Sequence, residues 1–244
     1  MTTKTTGNVE AQAPNQPSPM EDPLQLLPKI LTKLYSIWVR LTYPFAAVGR
    51  HLLIHFTCDL SRRKAHRIKL GSSVLILKDA LIQVVAPPEE DGEPILEIDD
   101  NVGIGPFCLI SAKNHIHLER NTILAQSARI IDHVCPDEDG SPADSKPGAS
   151  EGGRIRIGQG CWIGRGAAIV CTGGKLVLGR NCVVAANALV TRSFPPYSVI
   201  IGNPAVVVRR FDSGKNAWVI GSRRIPQSPN YNDKEKPDPA ADQF

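Results

Sequence analysis

The sequence predicts a mainly β fold, a solenoid of short parallel strands, because aliphatic residues recur at intervals of six. This period matches neither the 3.6-residue turn of a helix nor the two-residue alternation of a strand. It is typical of β-helices, in which short strands joined by corners form coils that hydrogen-bond to their neighbours. The recurring positions are Leu70, Ile76, Ile82, Ile98, Ile104, Ile110, Ile116, Leu118, Leu124, Ile130, Ile157, Ile163, Ile169, Leu178, Val184 and Val190.

Glycines and insertions mark the predicted corners and loops of this solenoid. A glycine follows the aliphatic residue at Gly71, Gly158, Gly164 and Gly179. A missing Cβ suits a corner where two coils approach closely. The repeat is interrupted by residues 86–94, by residues 134–154, by residues 171–175 and by a small slip at residues 116–118. Insertions in a solenoid emerge as loops, often on the functional face, and the longest follows His133 directly.

The chain divides into four predicted regions. Residues 1–23 are polar and proline-rich and are expected to be a disordered tail, and residues 213–244 form a C-terminal tail. Residues 24–66 have helical spacing, and residues 67–212 form the β-helix. The helical region divides at Pro44 into two predicted helices. The first has apolar residues at Ile30, Leu34, Ile37, Trp38 and Leu41, and the second at Phe45, Val48, Leu52 and Phe56.

Positive charge is concentrated in this helical region. Between Pro28 and Leu70 there are nine Lys or Arg residues and one acid, Asp59. Two interpretations stay open: a helical hairpin packed on its own domain or on a sister subunit, or an interfacial pair of helices at a membrane surface, with Trp and Tyr among the cations. The net charge of +4, without a basic stripe carrying aromatic residues, does not indicate a nucleic-acid partner.

Cysteine usage and the N-terminal sequence bear on the compartment. The six cysteines lack C-x-x-C spacing, and most stand beside aliphatic residues, so they are expected to be small core residues in a reducing, cytoplasmic setting. No signal-peptide pattern is present, and no 18-residue stretch lacks both charge and proline. A signal peptide and a transmembrane helix are therefore not expected.

The segments "CWIG" (residues 161–164) and "IGNPA" (residues 201–205), together with the repeat, resemble the hexapeptide-repeat acyltransferases. The resemblance covers about residues 70–212 and is greatest to the O-acetyltransferases of polysaccharide synthesis, which have an Asp-His pair before a protruding loop. It implies a left-handed parallel β-helix, a homotrimer, acetyl-CoA as acyl donor and no metal. It also implies a small-molecule or glycan acceptor.

Within the resemblance, His133 is the expected general base and Asp132 its supporting residue. A hydroxyl is a poor nucleophile at neutral pH, and an imidazole within hydrogen-bond reach can remove its proton during attack on a thioester. Asp132 either orients His133 or anchors the loop, since adjacent strand side chains usually point to opposite faces. Cys135 is an alternative nucleophile, disfavoured because no second base lies near it in the sequence.

The resemblance also implies the residues that contact coenzyme A. Two of them, Arg192 and Arg209, suit its phosphates. The sugar-specific members use an Asn and an Asp one coil before the histidine, which "IGPFCLISAKNHI" (residues 104–116) lacks, so the identity of the acceptor stays open. The implied contacts are Trp162, Arg165, Ala186, Thr191, Arg192 and Arg209.

Two other function classes compete with acyl transfer. A zinc enzyme similar to the β-helical carbonic anhydrases would use His115, His117 and His133, but the required downstream histidine is missing. A non-catalytic β-helix could instead recruit partners or a membrane through its helices.

Overall fold

The computed structural model describes residues 23–85, 92–133, 152–212, 214 and 216–220. Both predicted tails lie largely outside these ranges, as do Cys135 and most of the two long insertions. The described chain begins with helix α1 (Pro23–Thr42), and a short 3-10 helix (Arg62–Arg67) follows the first coil.

In the part of the chain that the structure describes, six coils of three short strands each form the body of the protein. Their strands are, coil by coil, β1 (Ala47–Val48), β2 (Leu53–Ile54), β3 (Asp59–Leu60); β4 (Ile68–Leu70), β5 (Leu75–Ile76), β6 (Leu81–Val84); β7 (Leu96–Ile98), β8 (Gly103–Ile104), β9 (Leu109–Ala112); β10 (His115–Leu118), β11 (Ile123–Leu124), β12 (Arg129–Ile131); β13 (Gly152–Ile157), β14 (Trp162–Ile163), β15 (Ala168–Val170); β16 (Gly173–Leu178), β17 (Val183–Val184), β18 (Leu189–Val190).

Equivalent strands of successive coils pair in parallel, so the coils have three faces. Sheet A is β1-β4-β7-β10-β13-β16, and sheet C is β3-β6-β9-β12-β15-β18. Sheet B runs from β2 through β5, β8, β11, β14 and β17 to β19 (Ser198–Ile201). It ends in an antiparallel hairpin of β20 (Val206–Asp212) and β21 (Ala217–Ile220).

The core is the column of aliphatic side chains that the six-residue period predicts. Every residue of the predicted set is buried, and none is more than 3% exposed. The corner glycines are explained by contact between coils. A Cβ on Gly158 would lie 2.7 Å from the backbone nitrogen of Arg180, and one on Gly164 would lie 2.6 Å from the carbonyl oxygen of Val184.

The second predicted helix is wrong. Its residues form the first coil of the β-helix, which begins at Ala47 rather than at residue 67. Val48, Ile54 and Leu60 follow one another at intervals of six and therefore continue the solenoid repeat. The same segment also has the helical spacing of Phe45, Val48, Leu52 and Phe56. The strands of this coil pair with β4, β5 and β6, which gives the second coil its hydrogen-bond partners.

The predicted C-terminal boundary also differs from the structure. The sheet continues past residue 212 because β21 pairs with β20, and the rings of Phe211 and Trp218 lie 5.5 Å apart. The predicted tail therefore contains a strand, β21.

Helix α1 covers the open edge of sheet B at the first coil. The backbone N–H of Ile54 donates a hydrogen bond to Ser36 Oγ at 2.9 Å, and Val39 is fully buried. An edge strand left open exposes unpaired backbone groups, and the helix satisfies one of them. Across the described part of the chain, no helix combines the length and apolar character needed to span a membrane.

The helix contacts the coil through small side chains and turns its large apolar side chains outward. Thr32, Ser36 and Val39 are buried, whereas eight large apolar residues are 40–79% exposed. With 3.6 residues per turn, these eight cover an arc of about 140° on the side away from the coil. We call them the apolar face of α1: Leu26, Leu27, Ile30, Leu31, Leu34, Ile37, Trp38 and Leu41.

Candidate active site

Asp132 and His133 lie at the corner between sheets C and A, where the chain leaves the fourth coil. Strand β12 ends at Ile131, and the next described residue after His133 is Gly152, which begins β13. Both side chains are buried, with Asp132 at 0% and His133 at 5% exposure. The longest insertion therefore begins at a buried acid–imidazole pair.

The Asp132 carboxylate is held by the backbone of the turn between β9 and β10. Oδ1 accepts the N–H of Lys113 at 2.7 Å, and Oδ2 accepts the N–H groups of Asn114 and His115, both at 2.8 Å. The Asp132 carbonyl accepts the N–H of Gly153 at 2.7 Å. Three N–H bonds compensate the burial of this carboxylate and fix its position.

The same carboxylate contacts the imidazole of His133. Nδ1 of His133 lies 3.0 Å from Asp132 Oδ1. Strand alternation does not apply, because Asp132 and His133 lie beyond the end of β12 and the chain is already turning. When Nδ1 carries the proton donated to Asp132, Nε2 has the lone pair of a base.

The residues implied for coenzyme A lie at two corners of the β-helix and on two strands of sheet B. Arg165 and Ala186 lie at the corner between sheets B and C, on adjacent coils, and the backbone N–H of Asn187 donates to the Arg165 carbonyl at 2.9 Å. Trp162 lies on β14 of sheet B and is 49% exposed. Sheet C separates the B/C corner from the corner of His133, so one chain does not bring these residues to His133.

Thr191 and Arg192 follow β18 as Asp132 follows β12, at the same corner but two coils further along. At about 4.8 Å per strand, this is about 10 Å along the solenoid axis. A side-chain N–H of Arg192 donates to the Ala205 carbonyl at 3.3 Å, and its guanidinium lies 5.2 Å from the Phe194 ring centroid. Arg209 lies exposed on β20.

Two of the histidines considered for zinc each lie beside a carboxylate. Nε2 of His115 is 3.1 Å from Glu97 Oε1, and Nε2 of His117 is 3.1 Å from Asp99 Oδ1, the latter without hydrogen-bond geometry. Burial raises the pKa of Glu97, but hydrogen bonds from Lys69 and His115 outweigh it and lower the pKa overall. Within the described ranges, no three His, Cys, Asp or Glu side chains form a group that could hold a metal ion.

The five described cysteines are buried and unpaired by disulfides, as the sequence predicted for small core residues. Burial raises the pKa of the Cys58, Cys108 and Cys171 thiols, and a hydrogen bond with Cys182 together with burial raises that of Cys161. A raised pKa leaves little thiolate at neutral pH, so these four are poor nucleophiles.

A cavity of about 300 Å³ beside the Asp132–His133 pair was missed from the sequence. Its lining includes Arg67, Lys113 and Arg154, which are far apart in the chain. Only the register of sheet A brings them together, since Ile116 pairs with both Leu96 and Ile155, and Leu96 with Ile68. The one local signal is "KNH" (residues 113–115), a polar turn between two buried strand residues.

No known protein-family profile matches this chain. A protein of Escherichia coli (strain K12) named "Putative lipopolysaccharide biosynthesis O-acetyl transferase WbbJ" is 26% identical over 137 residues, or 52% of this chain and 66% of that one. A "Probable acetyltransferase" of Mycobacterium tuberculosis is 26% identical over 153 residues, or 62% and 40% of the two chains. The chain thus matches less than two thirds of the length of each.

Among solved structures, AntD, an N-acyltransferase from Bacillus cereus in complex with dTDP and 3-hydroxybutyryl-CoA, is similar with a TM-score of 0.53. The identity is 14%, and the match covers 71% of this chain and 86% of the other. The predicted left-handed parallel β-helix is confirmed by this likeness. The two relatives are acetyltransferases by name, which agrees with the resemblance to the hexapeptide-repeat acyltransferases.

Proposed function

We propose that this left-handed β-helix, similar to the hexapeptide-repeat acyltransferases, transfers an acetyl group from acetyl-CoA to a hydroxyl of a sugar, glycan or related acceptor. One observation carries the proposal: a buried imidazole, His133, with Nδ1 at 3.0 Å from a carboxylate that three backbone N–H groups hold in place. The name of WbbJ supports acetyl transfer in lipopolysaccharide biosynthesis, and that of AntD supports acyl transfer with a CoA thioester as donor.

In the proposed mechanism, His133 acts as general base. Nδ1–H donates to Asp132, and Nε2 takes the proton of the acceptor hydroxyl while its oxygen attacks the acyl carbon. The imidazolium, stabilised by the Asp132 carboxylate, then returns that proton to the departing thiolate. Acetyl-CoA supplies the acyl group as a thioester. General-base catalysis of this kind contributes about 10²–10⁴-fold.

The proposed contacts to acetyl-CoA are of two chemical kinds, cationic side chains and uncharged ones. Arg165, Arg192 and Arg209 are cations suited to the phosphates, since guanidinium groups pair with phosphate oxygens in two parallel hydrogen bonds. Ala186 is a small exposed corner residue against which a pantetheine arm fits closely. Trp162 adds an exposed aromatic surface, and Thr191 a hydroxyl.

The wide spacing of these contacts supports a homotrimer with sites between subunits. Arg165 precedes a strand of sheet C, and His133 follows one, so the two residues lie at opposite ends of these strands. A complete site therefore requires the corner between sheets B and C of one chain to meet the corner between sheets C and A of another. Cyclic symmetry repeats one such heterologous contact three times and closes the ring.

Subunit mixing tests the shared site. Chains carrying His133→Ala are co-expressed with chains carrying Trp162→Ala and Arg165→Gln, each inactive alone. If the two halves come from different chains, random assembly of equal amounts restores about a quarter of the wild-type sites. Activity no higher than the sum of the two parents, or a fully active monomer in light scattering, contradicts the shared site.

We further propose that the apolar face of α1 lies at the cytoplasmic surface of a membrane that carries the acceptor. This face is turned away from the coil, and the exposed cations Lys29, Lys33 and Arg40 lie along one of its flanks. An arc of large apolar side chains bordered by cations is typical of interfacial helices. Each cation near an anionic leaflet contributes about 1 kcal/mol.

Vesicle flotation tests this surface. The protein should float with anionic vesicles at low salt, and rising salt should weaken but not abolish the binding, because the apolar contribution is not screened. Leu34→Glu with Trp38→Glu should abolish it, whereas Trp218→Glu, which changes a Trp of similar exposure on β21, should not. If the protein does not float at low salt and the double variant changes the oligomeric state, the apolar face of α1 is a subunit interface and not a membrane surface.

The activity itself is tested by acceptor screening. The protein is incubated with acetyl-CoA and panels of nucleotide sugars, lipid-linked glycans and small alcohols, and thiol release is measured against hydrolysis without acceptor. Release that depends on one acceptor class supports the proposal and identifies the class. No acceptor-dependent release favours the non-catalytic scaffold.

A further inference from the structure

The cavity beside Asp132 and His133 has a cationic lining. Of its eight described lining residues, three are cations and none is an acid. The described lining is Arg67, Ile95, Lys113, Asn114, Gly152, Gly153, Arg154 and Gly174. At about 300 Å³, the cavity is large enough for a small polar group such as a phosphate or diphosphate.

The wall of this cavity is continuous with the turn that holds Asp132. Lys113 and Asn114 contribute backbone N–H groups to the carboxylate, and both residues also line the cavity. A Cβ placed on Gly152 would lie 3.1 Å from His133 Cα and 2.5 Å from the Asp132 carbonyl oxygen. A ligand in the cavity therefore lies directly beside the backbone of the proposed base.

The cations of the wall stand on fixed elements. Arg67 is only 8% exposed, and its Nε–H donates to the Glu93 carbonyl at 3.1 Å, which holds the guanidinium in place. Arg154 lies on β13, opposite His115 of β10. Neither Lys113 nor Arg154 forms an ion pair with any residue in the described ranges. Lys113 and Arg154 therefore give the cavity wall positive charge, which attracts an anionic ligand.

We propose that this cavity binds the phosphate of a phosphorylated sugar acceptor, which places a hydroxyl of that acceptor at His133. The inference rests on the proposed function and specifies its acceptor class. A phosphate or diphosphate group is anionic and presents several acceptor oxygens, which match the guanidinium of Arg154 and the ammonium of Lys113. The coenzyme A phosphates have separate candidate partners in Arg165, Arg192 and Arg209, none of which lines the cavity.

Equilibrium binding of pyrophosphate to the full chain tests the site without relying on activity. Wild-type protein should bind pyrophosphate in a salt-sensitive manner. Lys113→Gln with Arg154→Gln should weaken that binding at least 10-fold and leave acetyl-CoA binding unchanged. Lys113→Arg with Arg154→Lys, which keeps both charges, should restore most of it, and Lys78→Gln, which removes a cation at the B/C corner, should have no effect.

The outcomes separate this inference from the proposed function. No pyrophosphate binding, equal binding by the Gln double variant, or loss of acetyl-CoA binding in that variant overturns the phosphate site whether or not acetyl transfer occurs. Charge-dependent pyrophosphate binding without transfer to any acceptor keeps the site and overturns the acetyltransferase.

Two sources of the phosphate are distinguished by competition against pyrophosphate. The two candidates are a soluble nucleotide sugar and a sugar linked through diphosphate to a polyprenyl lipid. Both contain a diphosphate, but one carries a nucleoside and the other a lipid. The one that competes more effectively identifies the source. Competition by neither, while the same sugars without phosphate compete, overturns the assignment.

Discussion

Replacement of His133 by Ala should lower kcat for acetyl transfer by about 100-fold or more, in line with the loss of a general base. The KM for acetyl-CoA should change little, because the contacts proposed for it lie on other coils of the β-helix. The melting temperature should fall, because a buried imidazole is removed, but the protein should stay folded, since three backbone N–H bonds to Asp132 stay in place. Steady-state kinetics with a hydroxyl acceptor and a thermal melt provide the readouts.

His117→Ala is the matched control for this prediction. His117 lies on β10, two strands before β12 in the chain, with Nε2 beside Asp99. The general-base account expects nearly wild-type turnover from this variant, whereas a zinc site built from His115, His117 and His133 requires a loss comparable to that of His133→Ala. Equal losses together with bound zinc would favour the metal enzyme, and unchanged turnover in His133→Ala would falsify the base assignment.

Replacement of Asp132 by Asn should lower kcat by about 100-fold. It should lower the free energy of unfolding less than Asp132→Ala does. The amide keeps the size of the carboxylate but presents one acceptor oxygen and one NH₂ group. If the oxygen faces the N–H groups of Asn114 and His115, the NH₂ takes the place of Oδ1. The Lys113 N–H then loses its acceptor, and His133 Nδ1 must accept a hydrogen bond. Nε2 would carry the proton and lose its function as a base, the effect known from Ser-His-Asp triads.

Asp132→Ala separates positioning from folding. It leaves the N–H groups of residues 113–115 without their acceptor in a buried site, which should cost about 3–5 kcal/mol of unfolding free energy. An Asp132→Asn variant that melts near the wild-type temperature, binds acetyl-CoA normally and turns over slowly supports a positioning role. If this variant keeps wild-type kcat, Asp132 only anchors the loop, which was the other interpretation open from the sequence.

The solenoid could be predicted because each inward position demands the same type of residue in every coil. Sixteen predicted positions, from Leu70 to Val190, are all buried. The first coil was missed because Phe45, Val48, Leu52 and Phe56 also fit a helix, and a short segment can satisfy two periods at once. Only pairing of β1, β2 and β3 with the second coil decides between them.

The amphipathic character of α1 was predictable, but the side that packs on the coil was not. The more apolar face of an amphipathic helix normally packs against the protein core. Here Ser36 satisfies an edge N–H of Ile54, so the small polar side contacts the protein and the large apolar side remains exposed. The sequence indicates the two faces of α1, but only the position of Ser36 against β2 shows which face packs on the coil.

The site residues adjacent in sequence could be predicted, whereas those gathered by sheet pairing could not. Asp132 and His133 stand out because the repeat stops there. Their contact at 3.0 Å depends on the turn after Ile131, and the cavity beside them depends on the register that aligns Arg67 with Arg154 across sheet A. Residue spacing along the chain predicts neither the contact between Asp132 and His133 nor the cavity.

Acetyl transfer itself tests the central claim most directly. Radiolabelled acetyl-CoA is incubated with the full chain and a phosphorylated sugar, and the sugar product is isolated and treated with mild alkali. The account predicts that the sugar gains one alkali-labile acetyl ester with wild-type protein and His117→Ala, and that His133→Ala forms it about 100-fold more slowly. Label that never enters an acceptor, or an ester formed equally fast by His133→Ala, would contradict it.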